Sequence, residues 1–438
     1  MPESRAWGLR QMQQTEHINS YYAATAHKQV AYPRLDGTLS ADVCILGGGF
    51  TGVNAGLELA QRGINAVVLE AVRVGFGASG RNGGQIVNGY SRDLDVITAR
   101  YGTKAGRAIA SMAREGGNII RERVARYNIE CDLKPGGVFA ALSHAQFRGL
   151  AHHIKVWHEY GFTDGFELLD KGDLQRHVKT ERYVGGLLDH FGGHIHPLNL
   201  VQGEAAAFTS LGGAVYENSP VIDLKFDDLV TVKTSHGEVR AKTLLICGNA
   251  YLQNLVPALE TQIMPVSSQI VVTEPLGEEA EALLASNMCI EDCNYILDYF
   301  RRTSDNRLLY GGGAVYGGHD PESVRAKVLP LLHKTFPDLR NVRIDYAWSG
   351  KFALTLPRFP QVGRLASNVY FSHGDSGHGV TTTHLLARIL AEAVKGETKR
   401  FDLFADLPFF PFPGGQKFRV PFTVAGSWWY RLRDSLRL

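Results

Sequence analysis

The chain has 438 residues, 44% of them hydrophobic and 21% charged, with a formal net charge of +2. That composition suits a globular protein of two or more domains, or of one large interleaved one. It offers no basic excess for nucleic acid and no unbroken apolar run of the roughly 18 residues a membrane span needs.

The opening, "MPESRAWGLRQMQQTEH", lacks an apolar signal core. The five cysteines, Cys44, Cys131, Cys247, Cys289 and Cys293, are an odd and sparse set, which points to a reducing cytoplasm. Cys289 and Cys293 are four apart, could share a helix face, and are read as two ordinary thiols.

The first strong signal is "ADVCILGGGFTGVNAG". Val43 to Leu46 suits a buried parallel strand. Gly47, Gly49 and Gly52 follow in GxGxxG spacing, with Phe50 and Thr51 opening a helix through "NAGLELAQRG". "INAVVLE" is the next strand and ends at Glu70, about 20 residues on, where an acid can accept from ribose hydroxyls. The glycines let backbone N–H groups approach a pyrophosphate, and the helix N-terminus adds roughly +0.5 of an elementary charge. Strand, glycines, helix, strand and acid together predict an adenine dinucleotide site.

A second glycine-rich loop, "GFGASGRNGGQ", follows at once. Its candidate cofactor residues are Ala78, Ser79, Gly80, Arg81, Asn82, Gly83, Gly84 and Gln85. Gly80, Gly83 and Gly84 leave room for a wide flavin against bare backbone, and Ser79 and Asn82 can bond a pyrophosphate or ribityl chain. The plain alternative is a surface Ω-loop.

Further on, "TKAGRAIASMAREGGNIIRERVARY" reads as one helix, and "GGAVYENSPVIDLKF" and "TVKTSHGEVRAKTLLICGNA" read as strands ending at Gly248. His190, His194 and His196 form H-x3-H-x-H, but glycines intervene and no other ligand set appears, so no metal is expected. Strands are predicted near "NYILDYFRR" and "RLLYGGGAVYG". A third glycine-rich bend, "HGDSGHG", lies between the strand "NVYFS" and a helix from Val380 that stops at Gly396. Gly374, Gly377, His378, Gly379, Val380 and Thr381 are its candidate cofactor residues. A helix N-terminus there would stabilise the negative charge of reduced flavin, which favours FAD over NAD.

These three loops resemble the D-amino acid oxidase superfamily of FAD amine oxidases. "SYYAAT", "GFGASGRNGGQ", "GGHIHPLNL", "GNAYL", "EDCNYILDYF" and "DNRLLYGGG" resemble the bacterial gamma-glutamylputrescine oxidases. Asp375 departs from the family's pattern, which places an aromatic or apolar residue there. The resemblance implies an α/β fold with a glutathione-reductase-type, Rossmann-like FAD domain and an interleaved α+β substrate domain. It implies an N-terminal extension at 1–37 and FAD-domain pieces at 38–92, 197–258 and 346–400. Substrate-domain pieces would be 93–196 and 259–345, with a tail at 401–438. Val221 would sit by the adenine.

The implied reaction is oxidation of a gamma-glutamylated polyamine to aldehyde, ammonia and hydrogen peroxide, with oxygen or a quinone as acceptor. Such chemistry needs position and desolvation more than an acid–base triad. Gln85, Trp348, Lys351 and His378 are the candidate catalytic shell. Matching the attachment region of sarcosine oxidases to "WSGKFALTLPRFPQVG" places Gly350 at their cysteine, and no histidine follows Glu70 before His144, so noncovalent FAD is expected. Thr381 stands where sarcosine-type enzymes carry a carboxylate-gripping lysine. Oxidation of another amine or imino acid such as L-pipecolate, and a flavin subunit without amine activity, are the alternatives.

The C-terminus, "GSWWYRLRDSLRL", predicts a short helix with Trp428, Leu432 and Leu436 on one face and Trp429 beside them. Docking on the protein itself or on a second subunit is preferred to an anionic membrane surface, because so short a helix is marginal alone. The sequence leaves the oligomeric state open.

Overall fold

The computed structural model describes residues 15–27, 30–252 and 255–436, without the side chains of 416–417 and 429–436. Its strands form one sheet of eight and one of nine.

Strand Gly37–Leu46 lies at the centre of the first sheet. It runs parallel to Ala66–Leu69 on one side and to Gly237–Ile246 on the other. Ala214–Tyr216 and Val369–His373 extend the two sides in parallel. Val43–Leu46 and Ala66–Leu69 are buried throughout, as continuous apolar runs covered on both faces must be. Helices Phe50–Gln61, Pro197–Ser210 and Gly379–Val394 pack together beside it. Several buried polar groups pair across them and across the adjoining helix Glu115–Tyr127. Asn54 Nδ2 donates to Glu204 Oε2 at 2.9 Å, His384 Nε2 lies 2.9 Å from Glu204 Oε1, and Arg123 donates to Glu58 at 2.7 Å. Unpairing any of these would leave a buried charge or amide without a partner, which fixes how the helices rotate against one another.

In the second sheet, Ile263–Thr273 lies antiparallel between Ile344–Thr355 and Leu308–Tyr316. Tyr299–Arg302 and Cys289–Asp292 follow, the latter running parallel to Lys134–Ala141. Gly185–His194 pairs with Lys134–Ala141, with Phe166–Asp170 and with the two-residue strand Gln85–Ile86.

Several sequence expectations change here. The piece expected to start at 346 opens inside Ile344–Thr355, a strand of the second sheet. The piece 38–92 likewise gives Gln85–Ile86 to that sheet. The expected N-terminal extension includes the helix Tyr21–Thr25, whose two tyrosines are buried in the main core. Arg301 Nη2 donates to Tyr22 Oη at 3.1 Å, and the Tyr22 ring meets Trp348 edge-on. Residues 1–14 lie outside the described residues.

The single helix expected over 103–127 is two, Thr103–Ala110 and Glu115–Tyr127. Between them, the Ala113 carbonyl accepts from Gly89 N at 2.7 Å instead of from the next helical turn. Cys289 and Cys293 share no helix face. Cys289 starts a strand paired on both sides, and Cys293 lies beyond its end, because sheet pairing overrides a four-residue spacing. The strand near "NYILDYFRR" is confined to Tyr299–Arg302, since Asn294 and Asp298 donate their backbone N–H groups to Asp292 Oδ1 and bend the chain. The C-terminal helix runs Gly415–Leu436, longer than expected. Arg419, in its first half, anchors it by donating to Glu260 O at 2.6 Å and Ile263 O at 2.9 Å. Trp428 is 65% exposed, while the side chains of Trp429, Leu432 and Leu436 lie outside the described residues. Among the described residues no helix is long and apolar enough to cross a membrane.

Candidate active site

A cavity of about 710 Å³ runs from the carboxyl ends of the parallel strands to the face of the second sheet. That lies in the upper part of the range for small-molecule and cofactor sites, about 300–1,000 Å³.

The first loop lines one end. Gly47 has φ +111°, and a Cβ there would stand 2.9 Å from Cys247 O. Gly49, Phe50 and Thr51 line the cavity at the start of helix Phe50–Gln61. Gly52 stands behind them. Its Cβ would meet Gly47 O at 1.9 Å, so it permits the close contact of helix and strand. Glu70 follows the second parallel strand, accepting from Gly48 N at 2.7 Å and Val72 N at 3.0 Å. Burial pushes its carboxyl up to about 7 against these bonds. Val221 and Gly248 line the same end.

The second loop is built onto the first. Ser79 Oγ accepts from Phe50 N at 2.8 Å, so the second loop satisfies a donor at the first helix's N-terminus. This contact accounts for two glycine-rich loops so near in sequence. Ala78, Ser79, Arg81, Asn82, Gly83 and Gln85 line the cavity. Gly80 and Gly84 do not. A Cβ at Gly80 would meet Gly75 O at 2.3 Å, and one at Gly84 would meet Ile195 O at 2.2 Å, so both serve the loop's packing. Asn82 is a staple within the loop. Its Nδ2 donates to Ala78 O and Ser79 O at 3.0 and 2.9 Å, and its Oδ1 accepts from Gly84 N at 2.7 Å. Arg81 Nε donates to Phe76 O at 2.7 Å, while its Nη2 is buried with no hydrogen-bond partner among the described residues.

The third loop adds a second helix N-terminus to the cavity wall. Gly377, His378, Gly379, Val380 and Thr381 line the cavity at the start of helix Gly379–Val394. Gly374, with φ +78°, stands back, since a Cβ would meet Thr355 Cγ2 at 2.2 Å. Asp375 has a structural explanation. Its Oδ2 accepts from Asn249 Nδ2 at 2.6 Å and its Oδ1 from Gly377 N at 3.0 Å, tying this loop to the turn after Gly248. Burial raises its pKa.

Of the candidate catalytic residues, Gln85, Lys351 and His378 line the cavity and Trp348 does not. Trp348 Nε1 donates to Arg81 O at 3.0 Å, holding the second loop from behind. Gln85 Nε2 donates to Ile290 O at 3.1 Å. Lys351 is buried, with Nζ 3.9 Å from Asp320 Oδ2, and burial lowers its pKa to about 8. Asp320 also accepts from Ser349 Oγ at 2.6 Å and Ser267 Oγ at 3.0 Å. Burial, then the nearby Arg358, lowers His378 to about 4, which leaves it neutral at pH 7. Thr381 Oγ1 donates to Val87 O at 2.6 Å.

The histidines of H-x3-H-x-H have separate partners. His190 lies near Glu167, His194 Nε2 is 2.8 Å from Asn287 O, and His196 Nδ1 accepts from Asn199 N at 3.1 Å. Among the described residues no group of acids, histidines and cysteines is placed to hold a metal ion. Sequence reading missed Glu291, Tyr295, Tyr299 and Arg358, all on the cavity wall. Each sits in a segment without a glycine signature. An acid beginning "EDCNYILDYF" was the only local hint.

The fit to FAD rests on this chain's own groups. Two helix N-termini face the cavity, glycine backbone leaves space a Cβ would fill, Arg81 Nη2 is a buried donor without a partner, and Glu70 stands at the strand end. The model of the FAD dependent oxidoreductase family matches residues 42–393. The chain is 53% identical over 424 residues to gamma-glutamylputrescine oxidoreductase of Escherichia coli strain K12, covering 96% of this chain and 99% of the relative. Glycine oxidase of Geobacillus kaustophilus superimposes with a TM-score of 0.70 at 22% identity, over 85% of this chain and all of that one. L-proline dehydrogenase of P. horikoshii gives a TM-score of 0.70 at 21% identity, over 83% of this chain and 95% of that one.

Proposed function

The chain belongs to the FAD dependent oxidoreductase family, and from that premise we propose that it oxidises the free amine end of gamma-glutamylputrescine or a close gamma-glutamyl polyamine. The observation that carries this reading is the near end-to-end identity with the E. coli gamma-glutamylputrescine oxidoreductase. The net reaction is R–CH2–NH2 + O2 + H2O → R–CHO + NH3 + H2O2. FAD held by the three glycine-rich loops would supply the acceptor for the hydride on the carbon next to nitrogen and the route of that electron pair to oxygen.

The protein's part is positioning, water exclusion and charge. Gly83 keeps the second loop free of a side chain at the cavity, with Tyr299 packed against it. Helix Gly379–Val394 directs its N-terminus into the cavity, where negative charge develops. Lys351 holds positive charge in the desolvated wall and assists oxygen reduction. Gly350 supports noncovalent attachment, because a Cβ there would already stand 3.0 Å from Arg81 Cβ. The five cysteines are all free thiols, which suits a cytoplasmic enzyme.

A peroxide assay over gamma-glutamyl polyamines, free polyamines and cyclic imino acids tests the reading. Gamma-glutamylputrescine should give the highest kcat/KM. A preference for L-pipecolate, or no peroxide from any amine, would overturn it. Acid should release free FAD, whereas flavin fluorescence that stays with the denatured band would refute noncovalent binding.

A further inference from the structure

Two ionisable side chains on the cavity wall, Glu291 and Arg358, take no part in the contacts that shape the three loops. Glu291 lies in strand Cys289–Asp292 and is directly opposite Tyr299 in the neighbouring antiparallel strand, so both side chains project from one face. Tyr299 packs against Gly83, and Gln85 is bonded to the Ile290 carbonyl, which sets Glu291 beside the second glycine-rich loop. Among the described residues no basic side chain forms an ion pair with Glu291. The charged neighbour that acts on it is another acid, Asp292. Asp292 itself is engaged elsewhere, accepting from Arg182 Nη2 at 3.2 Å.

Arg358 is the cation of the cavity wall. It sits in a tight loop closed by Thr355, whose Oγ1 donates to Phe359 O at 2.8 Å and accepts from Phe359 N at 3.0 Å. The loop holds Arg358 at φ +55°, a conformation that costs a non-glycine residue energy and marks a constrained position. Its guanidinium lies over the Tyr295 ring, 4.3 Å from the centroid, and its Nε is buried with no hydrogen-bond partner among the described residues. No carboxylate among the described residues forms an ion pair with it. Glu291 and Arg358 therefore do not neutralise one another across the cavity they share.

We propose that Glu291 seats the terminal ammonium of the substrate's aminoalkyl arm and Arg358 seats the carboxylate at its amino-acid end. This rests on the gamma-glutamyl polyamine reading and deepens it. A cavity with an unpaired carboxyl and an unpaired guanidinium selects a molecule with both an ammonium and a carboxylate, because an arriving ammonium stabilises the ionised Glu291 and a ligand without a carboxylate leaves Arg358 unmatched. Arg358 would then supply the carboxylate contact that Thr381, in place of a lysine, cannot.

Calorimetric titration of the FAD-loaded, dithionite-reduced enzyme tests the assignment without turnover. Three ligands separate the charges. Gamma-glutamylputrescine has both groups, N-acetylputrescine lacks the amino-acid end, and gamma-glutamylbutylamide lacks the terminal ammonium. Glu291→Gln should weaken gamma-glutamylputrescine and N-acetylputrescine by about 10- to 100-fold and leave gamma-glutamylbutylamide within about twofold. Arg358→Gln should weaken gamma-glutamylputrescine and gamma-glutamylbutylamide by a similar factor and spare N-acetylputrescine, with Arg358→Lys recovering part of the loss. FAD content equal to wild type establishes that each variant is folded. Equal losses on all three ligands, no losses, or a loss of gamma-glutamylbutylamide in Glu291→Gln would each overturn the assignment. Wild type that oxidises another amine but neither binds nor oxidises gamma-glutamylputrescine would instead overturn the substrate reading.

Discussion

The two ends of the cavity are built on different principles. The dinucleotide end is walled largely by backbone at Gly47, Gly49, Gly83, Gly377 and Gly379, with two helix N-termini facing in. The end under the second sheet is walled by side chains, among them Glu291, Tyr295, Tyr299, Lys351 and Arg358. Backbone gives a fixed field and close approach, which a large constant cofactor needs. Side chains give charge and shape that can be altered without disturbing the cofactor, which a variable substrate needs. Substitutions at the first end should therefore act through cofactor retention and folding. Those at the second should act through binding and rate while the protein keeps its flavin.

The largest effect expected is from Gly52→Val. The new Cβ would fall 1.9 Å from Gly47 O, and backbone cannot move aside as a side-chain tip can. Destabilisation of about 3 kcal/mol or more and loss of bound flavin should follow, read by thermal unfolding and flavin absorbance. A stable yellow variant would break the comparison at its stronger side.

Lys351→Met is the matching cut at the other end. Flavin content should be unchanged, while reoxidation by oxygen in stopped flow slows by about 10- to 100-fold. An unchanged reoxidation rate would remove Lys351 from catalysis. Glu70→Ala returns to the cofactor end with a smaller expected effect. FAD binding should weaken by about 1–3 kcal/mol through loss of charge-assisted ribose hydrogen bonds, measured by reconstitution of the apoprotein.

The last effect concerns pH. Folding without substrate holds the proton of Glu291 up to about pH 8, against 4.5 for an ordinary glutamate, because the carboxylate is desolvated beside Asp292. That contribution to stability is intact below pH 4.5 and is lost as pH rises to about 8. Glu291→Gln cannot ionise, so its Tm relative to wild type should rise by a few kelvin across that window and level off above it. A constant difference from pH 4.5 to 8 would show that Glu291 titrates normally.

Much of the cofactor end was legible because its requirements are local. A tight approach of backbone to a pyrophosphate demands glycine within a few residues of a strand end and a helix start, and "ILGGGFTG" and "GFGASGRNGG" state that directly. Even there, neighbouring glycines divided into those lining the cavity and those, such as Gly52, Gly80 and Gly84, that let other backbone come close. Spacing alone cannot separate the two, since both need a missing Cβ. Trp348 was expected in the flavin-facing shell, whereas its indole bonds Arg81 O from behind the second loop, because sequence does not tell on which side of a loop an indole stands.

By itself, then, the sequence determined the parallel-sheet dinucleotide unit, the three glycine-rich loops and the FAD they imply, since each is specified within one short stretch. Tertiary structure alone decided that Glu291 and Tyr299 share a face, that Lys351 meets Asp320, that Asp375 staples two loops and that Arg358 is held at positive φ over the cavity. Those placements depend on strand register and loop closure between distant segments, where a one-residue shift would turn each strand side chain to the opposite face.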